Sequence, residues 1–113
     1  MIENLGIGID LVDIDKFKKI PFNEKQTFYT KIFTNKEIQY CLKFKEPYEH
    51  FAGKFAIKEA VKKSLNSNID LFNIETFHEN EKPQVKIKDS NSKFLISMSH
   101  EKNFSIALAI SLG

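Results

Sequence analysis

The residues most able to do chemistry lie in one segment, residues 51–63, with the sequence FAGKFAIKEAVKK. If this segment is a helix, Phe55, Glu59 and Lys63 lie one turn apart on the same face. An adjoining basic stripe consists of Lys54, Lys58 and Lys62. One carboxylate among four ammonium groups suits a metal-plus-polyphosphate site, because the acid can hold a divalent cation while the lysines bind phosphate oxygens. A charged helix face is more often solvated surface, so a second observation is needed.

That second observation is Asp10, which lies inside the otherwise apolar run of residues 6–12. A carboxylate inside a buried strand is costly unless it is hydrogen-bonded, paired or bound to a metal. One interpretation is an ion pair with a lysine of the long helix. The other is that Asp10 and Glu59 share one cation, as two carboxylates of an octahedral Mg²⁺ shell completed by phosphate and water. Such a site suits phosphoryl-type transfer from a diphosphate.

Composition narrows the class of protein. The chain has 113 residues, 42% of them apolar, which predicts a single domain spanning residues 1–113. No apolar run is long enough for a membrane span, and the first residues lack the features of a secretory signal. The lone Cys41 predicts a buried, inert thiol in a reducing cytoplasm. The net charge of +2 is too small to indicate a nucleic-acid binder.

The predicted elements give an α+β protein with a mainly antiparallel sheet. A buried strand ends near Val12 and carries Ile7, Ile9 and Leu11. Three helices follow, and we place them at about 24–31 with Asn23 as cap, from the capping box at 34–37 to Lys45, and from Pro47 to Leu65 with Asn66 at the end. The later strands are predicted at 73–78, 84–88, 94–99 and 104–111. The Ser/Ala face of the last strand favours close packing against a helix or another subunit.

Three motifs together resemble a known family. They are GIDLV at 8–12, FAGKFAIKEA at 51–60 and SMSHE at 97–101, with TNKE at 34–37 and Lys82-Pro83 at weaker positions. They resemble holo-acyl-carrier-protein synthase, the small bacterial class of 4′-phosphopantetheinyl transferases, in family order along the whole chain. The resemblance implies a 4′-phosphopantetheinyl transferase-like fold, a homotrimer with active sites between subunits, and a role in fatty acid biosynthesis. It also implies Mg²⁺-dependent transfer of 4′-phosphopantetheine from coenzyme A to a serine of apo-acyl carrier protein.

The resemblance also assigns roles to single residues. Asp10 and Glu59 match the metal-binding acids, and with Lys63, which matches a lysine that neutralises phosphate charge, they form the predicted catalytic set. The predicted coenzyme A contacts are Lys54, Lys63, Pro83 and His100. The serine proton goes either to Glu59 or to a metal-bound water.

The chain departs from the family because all 17 of its basic residues are lysine. Lys16 and Lys54 stand where the family commonly has arginine, so charge is kept without the bidentate fork. Acyl carrier proteins are acidic, and Lys16 and Lys25 are the predicted docking residues, beside Lys18, Lys19 and Lys31. Glu81 stands where a glycine is usual, which leaves the geometry of that turn open.

Two other classes of function fit parts of the pattern. A lysine-rich binding module without chemistry would tolerate amides at Asp10 and Glu59. A coenzyme A-binding domain that has lost transferase activity would bind coenzyme A without modifying a carrier.

Overall fold

The computed structural model describes residues 4–113; the first three residues, which the predicted domain includes, lie outside this part. The helices are α1 (Ile14–Lys18), α2 (Gln26–Ile32), α3 (Asn35–Leu42) and α4 (Pro47–Leu65), with a 3₁₀ turn at Leu71–Asn73. The strands are β1 (Gly6–Asp13), β2 (Ile74–Glu79), β3 (Lys82–Ile87), β4 (Phe94–Glu101) and β5 (Phe104–Ser111). None of these helices combines the length and apolar character needed to cross a bilayer.

The strands form two antiparallel sheets rather than one. One sheet has the order β1-β5-β4, and β2 and β3 form a separate two-stranded sheet. The last two predicted strands are present, and β4 and β5 form an antiparallel hairpin connected by Lys102 and Asn103. Four α-helices are present where three were predicted, because residues 14–18 form a short helix capped by the Asp13 side chain.

Helix α4 lies directly on the β1-β5-β4 sheet, and glycine makes this approach possible. A β-carbon at Gly8 would lie 2.0 Å from the Ala60 carbonyl oxygen. On β5 the Ser/Ala face is buried beneath the same helix, so the partner of that face is α4 and not another subunit.

The buried face of β1 is therefore opposite to the one predicted. Ile7, Ile9 and Leu11 are 69%, 55% and 61% exposed, while Gly8 and Val12 face the helix. The prediction was wrong because alternation identifies two faces without saying which is covered. Small residues on one face let a helix come closer than isoleucine would allow.

The ends of the helices show which cap signals were informative. Thr34 and Glu37 form the predicted reciprocal capping box, and Asn66 ends α4 with a left-handed φ of 50°. The prediction that Asn23 caps a helix was wrong, since α2 begins at Gln26 with no side-chain cap. Helix α3 ends at Leu42, before the predicted Lys45.

Candidate functional site

Asp10 and Lys63 meet where β1 crosses the C-terminal half of α4. Asp10 projects from the helix-facing side of β1, and its side chain is only 15% exposed. The Lys63 ammonium donates to the Asp10 carboxylate over 3.1 Å and to the Ile9 carbonyl over 3.0 Å. The predicted ion pair between Asp10 and a lysine of the long helix is thus present. The Lys63 side chain is 54% exposed, so solvent can reach it.

Glu59 lies on the same face of α4, one turn before Lys63 and one turn after Phe55. Phe55, Asp10 and Lys16 line one cavity of about 260 Å³. Lys63 contacts Asp10 directly and Phe55 lines the same cavity as Asp10, so the helix face that carries Glu59 is turned toward β1. Glu59 itself is partly exposed and accessible to a ligand.

The donor set in this region fits a hard divalent cation. It offers two carboxylates, and oxygen is the donor that Mg²⁺ prefers. Within residues 4–113 no group of three or more His, Cys, Asp and Glu side chains is placed to hold a metal. A cation held by Asp10 and Glu59 would therefore need further oxygen ligands from substrate and water, as Mg²⁺ commonly takes in phosphate-binding sites.

A second cavity, of about 220 Å³, lies at the other end of α4. It brings together three of the four predicted coenzyme A contacts, Lys54, Pro83 and His100. The fourth, Lys63, lies instead with Asp10. The sequence missed the other lining side chains, which include Tyr40, His50, Thr76, His78 and Met98. They come from several separate elements, so no spacing in the sequence could have indicated that they meet.

All three histidines of the chain line this second cavity. His50 stacks on Phe44 with ring centroids 3.7 Å apart, and His78 stacks on Tyr40 at 5.4 Å. Burial lowers the pKa of both His50 and His78 below the usual histidine value. Both rings are therefore mainly neutral near pH 7 and act as flat aromatic walls.

Lys54 forms part of the wall of this cavity, and hydrogen bonds fix its ammonium group. Its side chain is 6% exposed, and its ammonium donates to the Thr76 hydroxyl over 2.9 Å and to the Thr76 carbonyl over 3.3 Å. The same ammonium lies 4.7 Å from the centroid of the Tyr40 ring. Burial lowers the pKa of Lys54.

Lys58 does not belong to the phosphate-binding stripe, and that part of the prediction was wrong. It is fully buried and forms a 2.9 Å ion pair with Glu37. Its ammonium also donates to three backbone carbonyls, those of Ile32, Leu71 and Ile74. Lys58 therefore connects α4 to α2, to α3, to the 3₁₀ turn and to the start of β2.

Glu37 is the acid that makes this burial possible. Burial would raise the pKa of Glu37, but the Lys58 charge and the bonds from Lys58 and Thr76 outweigh it and leave the pKa below its ordinary value.

Nearby Cys41 is fully buried, and burial raises the pKa of its thiol to about 12. The prediction of an inert Cys41 is consistent with this environment.

The predicted docking lysines lie on the first helices. Lys16 is exposed on α1 and lines the same cavity as Asp10. Lys25 is exposed just before α2 and lies outside this cavity lining. Of these two lysines, Lys16 is therefore the one that shares a cavity with Asp10.

The outer face of the β1-β5-β4 sheet is apolar, and no element within residues 4–113 covers it. Its exposed large side chains are Ile7, Ile9, Leu11, Leu95, Phe104 and Ile106. By the strand register, Asp13 and Glu101 are its charged residues, and both lie at one end. Extended apolar patches of this kind are typical of protein–protein interfaces.

The fold and these two sites define a class of protein. Residues 6–109 match the 4′-phosphopantetheinyl transferase superfamily. The chain is 41% identical to the holo-[acyl-carrier-protein] synthase of Thermodesulfovibrio yellowstonii, an alignment that covers 97% of this chain and 98% of that protein. The chain therefore belongs to the 4′-phosphopantetheinyl transferase superfamily.

Solved structures agree with this assignment. The holo-(acyl-carrier-protein) synthase of Bacillus anthracis in complex with CoA (3′,5′-ADP) superposes with a TM-score of 0.81 at 27% identity, over 94% of each chain. The Helicobacter pylori enzyme in complex with coenzyme A gives a TM-score of 0.81 at 28% identity, over 93% of this chain and 98% of that chain. The family and the α+β fold predicted from the sequence motifs are confirmed.

Proposed function

We propose that this protein transfers the 4′-phosphopantetheine group of coenzyme A to a serine of an apo-acyl carrier protein, with Mg²⁺, as part of fatty acid biosynthesis. The serine oxygen attacks the phosphorus next to pantetheine, a new P–O bond forms, and the diphosphate P–O bond breaks. The leaving group is 3′,5′-ADP, and the serine proton passes to a base. The observation that carries this proposal is the direct contact between Asp10 of β1 and Lys63 of α4, with Glu59 one turn before Lys63 on the same helix face.

Asp10, Glu59 and Lys63 have separate roles in the proposed reaction. Asp10 and Glu59 would hold Mg²⁺, which when bound neutralises diphosphate charge. Lys63 pairs with Asp10 in the free protein and is exposed enough to turn toward a phosphate oxygen. The partly exposed Glu59 can accept the serine proton directly or through water. Most of the rate acceleration comes from charges fixed around the transferring phosphoryl group.

The second cavity is the proposed site for the nucleotide end of coenzyme A. Its aromatic walls suit a purine ring, and Lys54 supplies positive charge for phosphate. Pro83 and His100 complete the contacts predicted for this end. In this proposal the pantetheine end of the substrate lies near Asp10.

We further propose that three copies of the chain assemble through the outer face of the β1-β5-β4 sheet. The support is the apolar character of that face together with the family resemblance. Lys16 and Lys25 then form part of the surface that docks the acidic carrier protein. We place the reaction in the cytoplasm, where a free buried thiol such as Cys41 stays reduced.

Transfer is tested by incubating the protein with apo-acyl carrier protein, coenzyme A and Mg²⁺. A mass gain of about 340 Da on the carrier is expected, and chelation of the metal should abolish it. Glu59→Gln and Asp10→Asn should each lower the rate by roughly a hundredfold or more with the fold intact. Asp70→Asn, at an exposed acid that lines neither of the two cavities, is the matched control and should act normally.

The outcomes separate the alternatives. If the carrier gains no mass while coenzyme A still binds, the protein is a coenzyme A-binding domain without transferase activity. If neither is seen, only a binding module remains. Near-normal turnover by Glu59→Gln would refute the metal assignment alone.

Docking and assembly need separate measurements. Lys16→Ala should raise KM for the carrier severalfold without changing KM for coenzyme A, and this effect should shrink at high salt. Lys88→Ala, an exposed lysine after β3, is the control. Ile9→Glu should convert a trimer to monomers in sedimentation experiments. A parent protein that is monomeric and fully active would refute the trimer.

A further inference from the structure

Two lysines of α4 are linked through one buried carboxylate and one hydroxyl. The Lys58 ammonium pairs with Glu37 Oε1 over 2.9 Å. Glu37 Oε2 accepts from the Thr76 hydroxyl over 2.7 Å, and the Thr76 hydroxyl accepts from Lys54 over 2.9 Å. All four side chains are 6% exposed or less. The connection joins Lys58, which is fully buried, to Lys54, which lies in the wall of the second cavity.

The chemistry of the carboxylate fixes the direction of these bonds. An ionised carboxylate can only accept hydrogen bonds, so the Thr76 hydroxyl must donate its proton to Glu37. The Thr76 backbone N–H donates to the same Oε2 over 2.8 Å, which holds the residue in register. The oxygen lone pairs of the hydroxyl are then left for Lys54. The lowered pKa of Glu37 keeps this carboxylate ionised near neutral pH.

Lys54 is consequently held before any ligand arrives. The Thr76 hydroxyl and carbonyl accept two of its three ammonium protons, and the Tyr40 ring lies beside the charge. A lysine side chain has many rotamers, and ordering them opposes ligand binding. A Lys54 that is already ordered binds a phosphate oxygen without that entropic cost.

We propose that Thr76 is a positioning residue for Lys54 in the binding of coenzyme A, and that Glu37 gives it this role by fixing the direction of its hydroxyl. The inference rests on the proposed function, because it takes coenzyme A as the ligand of the cavity. Thr76 acts through Lys54 and not through its own contact with the ligand.

The test compares Thr76→Val and Thr76→Ser. Valine keeps the shape of threonine and the backbone bond to Glu37 but removes the hydroxyl, whereas serine keeps the hydroxyl. Titration calorimetry with coenzyme A should show affinity about tenfold weaker for Thr76→Val, or about 1.4 kcal/mol. Thr76→Ser should restore most of the affinity. In the transfer assay KM for coenzyme A should rise about tenfold while kcat changes little.

A double-mutant cycle separates positioning from direct contact. Lys54→Met removes the charge, so Thr76→Val should weaken binding no further in that background. Thr30→Val, an exposed threonine on α2, is the control and should bind coenzyme A like the parent. Urea unfolding of each variant establishes that the protein measured is folded.

Three results would overturn the proposal in distinguishable ways. If the parent neither binds coenzyme A nor modifies a carrier, the proposed function fails and this inference fails with it. If the parent does both and Thr76→Val binds equally well, only the positioning role is wrong. If the effects of Thr76→Val and Lys54→Met are additive, Thr76 contacts the ligand itself.

Discussion

Replacing Lys58 by methionine distinguishes a structural lysine from a ligand-binding one. Methionine fills a similar volume but removes the ammonium, which leaves Glu37 buried at 1% exposure without its cation. Removing one partner of a buried ion pair costs about 3–5 kcal/mol. Three carbonyls also lose a donor, while Glu37 keeps its bonds from Thr34 and Thr76. We therefore expect Lys58→Met to lower the free energy of unfolding by about 4 kcal/mol. This is a large part of the roughly 5–15 kcal/mol that stabilises a typical domain.

The assay is urea unfolding followed by far-ultraviolet circular dichroism at one fixed protein concentration, because the stability of an oligomer depends on concentration. Lys62→Met, a partly exposed lysine on the same helix, should change stability by about 0.5 kcal/mol or less. Combining Lys58→Met with Glu37→Gln should cost about 2 kcal/mol less than the sum of the single changes, since neither charge is then left alone. The structural assignment of Lys58 is refuted if Lys58→Met unfolds like the parent but loses coenzyme A affinity.

Three further predictions concern the close approach of Gly8 to α4, the positive φ of Glu81 and the ionised carboxylate of Glu37. Gly8→Ala should lower the free energy of unfolding by about 3 kcal/mol in chemical denaturation, because the new β-carbon would meet the Ala60 carbonyl. Gly53→Ala should cost far less, because its β-carbon meets only a flexible methionine side chain. Equal stabilities of the two variants would contradict this prediction. Glu81 has a φ of 66°, a left-handed conformation that strains any residue with a β-carbon. Glu81→Gly should therefore raise the stability by about 1 kcal/mol in thermal unfolding, and an unchanged melting temperature would count against this strain. Glu37 has a lowered pKa, so its contribution is present above the ordinary value of 4.5 and is lost as pH falls through the lowered pKa. Glu37→Gln should therefore flatten the acid side of the stability–pH curve, and an unaltered curve would exclude Glu37 as the cause.

Local signals in the sequence were reliable where the physics is local. The capping box at Thr34 and Glu37 depends on residues three positions apart, and Pro47 and Asn66 act on the backbone at their own positions. Asp10 and Glu59 were predicted as a metal-binding pair from their residue types and from the resemblance, and that pairing stays a prediction. The contact between Asp10 and Lys63 requires packing of β1 on α4, which the sequence could only suggest.

The errors arose where tertiary contacts decide. Helical spacing places Lys58 on one stripe with Lys54, but only the position of Glu37 on another helix shows that Lys58 is internal. Similarly, the alternation in β1 is real, yet the covered face is the one with Gly8 because α4 needs the space. His50 and His78 reach one cavity from different elements, and no spacing in the chain encodes that meeting.

The two faces of β1 connect assembly with chemistry in the proposed function. Asp10 points toward α4 and Lys63, while its neighbours Ile9 and Leu11 point outward and are 55% and 61% exposed. Any subunit that covers the outer face must therefore lie within one residue of the proposed metal ligand along the same strand. Because Ile9 and Asp10 are consecutive residues of β1, we expect loss of the interface to disturb the site as well as the oligomer. For this reason Ile9→Glu is expected to lower transfer together with assembly, and monomers that retain full turnover would show that the two faces work independently.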